Sequence, residues 1–361
     1  MTKEKKRAMV YYADLWGLRE EKYQYLAEHD VQTTEWQELK LKEPYYFFVL
    51  KDFRREERYQ RFWSAQDIFV ECSTCAETKR DLLAVAETKR ELLRRISLLS
   101  SASPAADDTT LRKTFRLKDI TEWKLYDARE FFRKRKPGEE GLSRYLYRLF
   151  DVRWTLLDRH LVSRPSSRIA KHFEHGNLGL LLMRQVYLNA PFSHAFVGSS
   201  MADRRIFLSN RGAAMIFPLY LYKEATRSDQ QMAMDVEIAR QTSTPNLRLR
   251  FLDVVRECYD AFTPESILHY IYGVLYSNIY RRNYDELLKL DFPRIPFTSD
   301  YGLFQEMAAL GKELVELHLL RSPLLAKPEA SYPVSGTDRV DSLAGVRQSR
   351  AYFGLVTVGM P

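Results

Sequence analysis

Between Tyr145 and Tyr222 short apolar runs are repeatedly broken by arginine or by a turn residue. Such punctuation excludes long helices and predicts short strands joined by loops, with arginines delivered to the strand ends. The breaks are Arg148 and Arg153 within residues 147–154, then Ser163-Arg164-Pro165, then Met183-Arg184-Gln185. The last is Asp203-Arg204-Arg205, continuing to Asn210-Arg211-Gly212. Arginine beside Ser, Asn or Gln on such loops suits phosphate oxygens and base edges, because a guanidinium fork fits both and Asn or Gln can bond adenine at two points.

Arg184 with Gln185, and Asn210 with Arg211, are therefore the candidate base readers. Arg148, Arg153, Arg164, Arg168, Lys171, Arg204 and Arg205 complete the candidate DNA-binding set. Arg164 and Arg168 are four apart, so a helix beginning near Pro165 would bring both to one backbone. The competing reading for each arginine is an internal ion pair, with Asp203 and Arg205 the most obvious couple.

Charge points the same way. Residues 112–171 hold 17 Lys/Arg against 8 Asp/Glu, whereas the rest of the chain holds 39 against 40. One segment thus carries the whole net charge of +8, the footprint of a site for a polyanion or else of a solvated basic helix face. Three cysteines in 361 residues do not make a disulfide scaffold and fit a reducing cytoplasm. No apolar run approaches the roughly 18 residues of a membrane helix, and the opening Met1 to Arg7 lacks a signal-peptide core.

Along the chain, residues 9–15 read as a short strand, 18–28 as a helix and 44–50 as a buried aromatic strand. Residues 76–95 are a near-perfect duplication, AETKRDLLAV then AETKRELLRR, whose helix-forming composition predicts an extended surface helix. Residues 100–110 are a linker, and 112–136 a basic helical stretch stopped at Pro137-Gly138. Residues 177–183 read as a buried strand and 213–222 as a strand interrupted by Pro218, as at a sheet edge. Thr263 caps a helix with Pro264 in its first turn and Ile267, Ile271 and Leu275 on one face. A second helix starts near Asp300 and is expected to bury Leu303, Met307, Leu310, Leu314 and Leu317. Phe292 to Phe297, with two prolines, is expected to be extended. After Ser322 the composition predicts a mobile tail with a short strand at 352–358.

No complete catalytic site emerges. There is neither a P-loop nor the Gly-rich turn of an S-adenosylmethionine site, and Asn189-Ala190-Pro191-Phe192 departs from the base-gripping Asn/Asp-Pro-Pro-aromatic tetrad at its second position. Glu38-Leu39-Lys40 is too common a triplet to define a nuclease. Cys72 and Cys75 with His172 and His175 lack a diagnostic zinc spacing, and His194 has no assignable nucleophile or orienting acid.

Tyr147 to Trp154 resembles the YRPFDxRW signature of large single-chain type ISP restriction–modification enzymes, with Leu149 where that family usually has proline. The resemblance continues in order through Ser163-Arg164-Pro165, Asn177 to Leu180, Arg184-Gln185-Val186, Asp203 to Tyr222, Thr263-Pro264-Glu265 and Asp291 to Phe297. Upstream, Tyr12 to Gly17 and Pro44 to Phe48 are similar to the segment that closes the family's adenine methyltransferase domain. The family's order is nuclease, helicase-like ATPase, N6-adenine methyltransferase and C-terminal target-recognition domain.

The resemblance implies a mixed α+β chain. Residues 1–75 would be the C-terminal remnant of a methyltransferase-like α/β domain, 76–141 a helical connector and linker, 142–322 an α/β target-recognition domain with C-terminal helices, and 323–361 a mobile tail. It implies a specificity portion, split off or truncated, that recognises double-stranded DNA in the cytoplasm. S-adenosylmethionine belongs to the parent enzyme and no cofactor to this chain. A separate methyltransferase, helicase or nuclease chain is a further partner, which would make this chain one subunit of a split methyltransferase. A gene fragment without function is the other alternative.

Overall fold

The computed structural model describes residues 8–43, 46–50, 55–101, 106–187, 191–208, 212–223 and 243–327. Residues 1–322 form one compact unit and 323–361 another. Of the second unit only a short 3-10 turn, Pro323–Ala326, is described.

A four-stranded antiparallel sheet is the centre of the first unit, ordered β4 (Ser73–Thr74), β10 (Ala214–Pro218), β7 (Gly179–Met183), β8 (Ala195–Gly198). All five residues of β7 are buried, so the sheet is covered on both faces. Strand alternation sorts its side chains: Leu180, Leu182, Val197 and Phe217 point into one core, Leu181, Phe196 and Ile216 into another.

The first core is closed by helices α9 (Leu249–Cys258), α10 (Pro264–Tyr276), α11 (Asn278–Leu288) and α12 (Tyr301–His318). The second is closed by a three-stranded sheet of β6 (Asp151–Thr155), β5 (Ser143–Arg148) and β9 (Met201–Ala202), with β9 parallel to β5. A third core belongs to helices α4 (Asp81–Ala84), α5 (Lys89–Ser100), α6 (Asp108–Phe115) and α7 (Leu125–Lys134). The chain is thus the expected α+β mixture. Residues 59–69 share the first core with residues 180–315.

Several local signals act as read. Thr263 accepts the Ser266 N–H at 3.1 Å and starts α10 at Pro264, and Ile267, Ile271 and Leu275 are buried. Arg294–Ile295 is a short extended pairing with Trp63–Ser64 (β13 and β3). The Pro218 strand is not at the sheet edge as expected: β10 lies between β4 and β7, and the proline is tolerated because the pairing with β4 covers only Met215 and Ile216. There the buried Asn246 amide takes over: it donates to Pro218 O at 2.7 Å and Glu71 O at 2.8 Å, and accepts Glu71 N–H at 2.7 Å. Leu149 occupies the β5–β6 turn followed by Phe150 at φ +64°, a geometry in which proline is favoured at the first central position.

Three further expectations are corrected. The AETKR duplication is not an extended surface helix. Each copy begins extended, with Ala76 bridged to Asp203 and Ala86 to Trp154, and only then turns helical, as α4 and α5. In the second copy the Thr is the reason, because Thr-x-x-Glu is a helix-start signal, whereas α4 of the first copy starts after Arg80 with no side-chain cap. Thr88 accepts the Glu91 N–H at 3.1 Å, and Thr78 bonds the Asp81 carboxylate. The first copy also brings Ala76, Leu83, Ala84 and Val85 into the core.

Residues 46–50 are not a buried strand; Phe48 and Leu50 are exposed. Helix α12 buries Phe304, Ala308, Gly311 and Val315; of the expected stripe Met307 and Leu314 pack only partly buried against that core, and Leu303 and Leu310 face outward. The small residues win because they let the backbones of α10 and α12 approach each other closely.

Candidate nucleic-acid interface

The candidate residues gather around the strand ends, held by acids contributed from the 71–81 segment and the 203 turn. Asp203 is the organiser. It is 6% exposed, accepts Tyr145 Oη at 2.7 Å and the Arg205 N–H at 2.8 Å, and pairs with Arg148 at 3.2 Å. Burial holds its carboxyl above the usual carboxylate range, while these donors and Arg148 oppose the rise. The expected Asp203–Arg205 couple is therefore replaced: Arg205 offers only its main chain, and its exposed side chain has no partner among the described residues.

Arg148 also stacks over the Tyr147 ring at 3.9 Å, with Arg153 over the same ring at 4.9 Å and paired to Asp151 at 2.9 Å. Tyr147 in turn donates to Asp81 at 2.7 Å. Glu77 receives two arginines, Arg204 at 3.3 Å and Arg164 at 3.8 Å. The main chains of Glu77 and Arg164 are themselves paired at 2.9 Å. Arg168 reaches Glu71 at 3.8 Å from a short helix, α8 (Ser167–Ala170), and Ser166 fastens that helix to Thr74 O at 2.9 Å. The helix begins two residues later than Pro165, so it carries Arg168 but not Arg164. Both still lie along the 71–77 segment, because their acid partners do. Lys171 follows α8, half-buried and with an interaction of its own.

Arg184 and Gln185 leave the end of β7 and are exposed. Arg184 donates to Asp291 at 3.0 Å with its side chain 65% exposed. At this same end Ala214 pairs with Met183 and donates its N–H to Arg204 O at 3.0 Å, so the loop after β7 and the 203–213 loop emerge together. Asn210 and Arg211 lie outside the described residues.

The arrangement divides the arginines by availability. Arg148, Arg153 and Arg204 are one-third exposed or less and committed to acids or rings. Arg164, Arg168, Arg184 and Arg205 project into solvent. Exposed pairs such as Arg168–Glu71 are worth little and exchange readily for a phosphate. The sequence reading missed Asp203 as the hub, since its partners Tyr145 and Arg148 are some sixty residues away. Cys75 is core, and His172 Nδ1 accepts the Tyr222 N–H at 3.0 Å. Replacing Asp203 by alanine would leave Tyr145 Oη only its 3.3 Å bond to Ala76 O and remove the counter-charge of the part-buried Arg148. A loss of about 3 kcal/mol in urea denaturation is expected; an unchanged midpoint would remove Asp203 from this role.

Among the described residues no cluster of three or more His, Cys, Asp or Glu could hold a metal. Residues 67–349 match the family model of the Type ISP C-terminal specificity domain, and the chain belongs to that family. No curated protein matches.

Three solved structures share its fold. A DrdV–DNA complex seen by cryo-electron microscopy is 20% identical, with TM-score 0.61, over 86% of this chain and 30% of that one. A nuclease-deletion mutant of the Type ISP restriction–modification enzyme LlaGI, in complex with a DNA substrate mimic, is 17% identical, with TM-score 0.56, over 88% and 28%. The ATP-dependent Type ISP restriction–modification enzyme LlaBIII bound to DNA is 18% identical, with TM-score 0.57, over 79% and 18%. This chain therefore spans less than a third of each. Among its described residues no helix is long and apolar enough to cross a membrane.

Proposed function

We propose that this chain is the DNA-reading part of a restriction–modification N6-adenine methyltransferase, cytoplasmic and without a catalytic or S-adenosylmethionine site of its own. The observation that carries the reading is the specificity-domain match over residues 67–349. The emergence of two arginine-bearing loops at one end of a doubly covered sheet supports it. The DNA bound by the neighbouring structures supports it further.

In this reading Arg184, Gln185, Asn210 and Arg211 reach base edges. Arg148, Arg153, Arg164, Arg168, Lys171, Arg204 and Arg205 line the backbone, the committed ones among them fixing the loops. Residues 142–322 are the target-recognition domain, 76–141 its connector and 1–75 the end of a methyltransferase-like domain. The α1 helix (Arg19–Glu28) buries no residue, and Trp16, Leu18 and Leu26 are exposed. That surface favours docking against a catalytic body, which makes a split methyltransferase the second reading.

The test is duplex binding to a random-sequence library at two salt concentrations. Enrichment of one motif is expected, since affinity of about 10⁻⁴ to 10⁻⁶ M alone is within the reach of nonspecific contacts. Arg184→Ala with Arg211→Ala should weaken the preferred site by about tenfold or more for each bidentate arginine–base pair removed. Unchanged preference in that variant would refute the base-reading assignment. Methyl transfer restored by adding a separate catalytic chain would establish the second reading.

A further inference from the structure

A second cationic surface lies outside the segment that carries the chain's net charge. An open groove of about 1020 Å³ runs between residues 60–72 and the start of α9. Arg61, Arg248, Arg250 and Arg294 line it, against a single acid, Asp67. Two of these arginines are built into the walls through neutral carbonyls. Arg248 Nε donates to Gln66 O at 2.9 Å and Phe69 O at 3.0 Å. Arg294 Nη1 donates to Phe62 O at 3.0 Å and stands 3.9 Å from Asp67. Carbonyl bonds fix a guanidinium without cancelling its charge. The other two, Arg61 and Arg250, are exposed, and their side chains have no hydrogen-bond or ion-pair partner among the described residues. Trp63, edge-on to Phe251 at 5.4 Å, stiffens the floor.

From this geometry we infer that the groove holds the phosphodiester backbone of duplex DNA, apart from the base-reading loops. The inference rests on the DNA-recognition reading and deepens it. The groove is open and its cations are spread along it, which fits an extended polyanion better than an enclosed small ligand. It is also continuous with the arginines already described. At the groove's edge Cys72 follows Glu71, whose carboxylate Arg168 approaches at 3.8 Å from α8. The groove reads no sequence, because Arg61 and Arg250 are long and exposed and Arg248 and Arg294 are tied to main-chain carbonyls, so none is aimed at a base-sized pocket.

The experiment titrates the full chain and the double variant Arg61→Gln with Arg250→Gln against labelled duplexes, one enriched and one scrambled, at several salt concentrations. Removing two phosphate-binding cations should lower the slope of log Kobs against log salt by about 1.8 for both duplexes. The affinity deficit should then be roughly tenfold greater at roughly 50 mM than at 200 mM salt. Motif preference should stay as in the parent, and Arg61→Lys with Arg250→Lys should restore the slope. Unchanged circular dichroism and thermal midpoint are expected, because neither side chain has a partner to lose.

A slope and affinity equal to the parent's would overturn the inference. So would a deficit confined to single-stranded RNA or to an acidic polypeptide competitor, which would give the groove to that partner. The two readings fail differently: loss of motif enrichment in the parent chain defeats target recognition, while the groove is judged on the salt slope of the scrambled duplex.

Discussion

Replacing Gly311 by alanine is expected to destabilise the native packing by about 3 kcal/mol or more. Helices α10 and α12 cross backbone against backbone at Gly273 and Gly311. A Cβ on Gly311 would stand 1.8 Å from the His269 carbonyl oxygen and 3.0 Å from Gly273 N, and one on Gly273 would stand 2.8 Å from Met307 O. A flexible side chain can swing aside, but a helical carbonyl moves only with its helix. The helices must therefore separate along a seam that also holds Phe304, Ala308 and Val315. Gly302, in the exposed first turn of α12, meets only Asp300 Oδ1 at 3.3 Å. Gly302→Ala should be neutral or stabilise by a few tenths of a kcal/mol, since alanine is the better helix former. Urea denaturation of the pair is the check; equal midpoints would show that α10 and α12 can part at no cost.

Stability should also fall as the solution is acidified from about pH 6.5 to about pH 4, a loss that begins above the range usual for carboxylates alone. Burial pushes the His318 and His194 imidazoles down to about 4, each with the Arg281 cation as the second cause. A histidine depressed in the fold stabilises it above its unfolded pKa, and that contribution is lost as pH falls towards the folded value. His318 closes α12 with its ring stacked on Phe196, and Tyr272 Oη lies 2.5 Å from its Nδ1. The neutral ring can accept a hydrogen bond from that hydroxyl; the imidazolium cannot. Arg281 is near both histidines, with its guanidinium 4.3 Å from the Tyr276 ring and 5.9 Å from that of Phe192.

A shift of this size would carry roughly 3 kcal/mol, and partial solvent screening reduces it to about 1–2 kcal/mol per histidine. His318→Gln, which keeps an acceptor for Tyr272, should remove about half of the dependence between pH 6.5 and 4. Denaturant midpoints measured across that range decide it, and parallel curves for parent and variant would exclude His318 as a source.

The exposed Leu303 and Leu310 show where sequence pattern stops being informative. Helix α12 offers two stripes of comparable period, one of leucine and methionine and one of Phe304, Ala308, Gly311 and Val315. Hydrophobicity favours the first; the fold uses the second because only small residues permit the Gly273–Gly311 approach. In the AETKR repeat, helix propensity was legible and so, in retrospect, was the Thr-x-x-acid start. What the copies would bridge to was not, since Asp203 and Trp154 lie far along the chain. Among the candidate site residues, the positions of Arg164, Arg184 and Arg204 at element ends were readable from turn chemistry. Which of them would be neutralised depended on Glu77 and Asp291, more than 85 residues distant.

The sequence by itself determined the α+β class, the Thr263 cap, the buried β7 strand and the specificity-domain family, because each rests on residues close together or on ordered motifs. Tertiary structure alone decided that Asp203 would gather Tyr145 and Arg148. It also drew Arg61, Arg248 and Arg294 from three segments, none of them in the basic stretch, into one groove. The physical reason is common to both. Charge and hydrogen bonding act over a few ångströms of space, and which side chains come within that range is settled by how the sheet and helices pack, not by their separation along the chain.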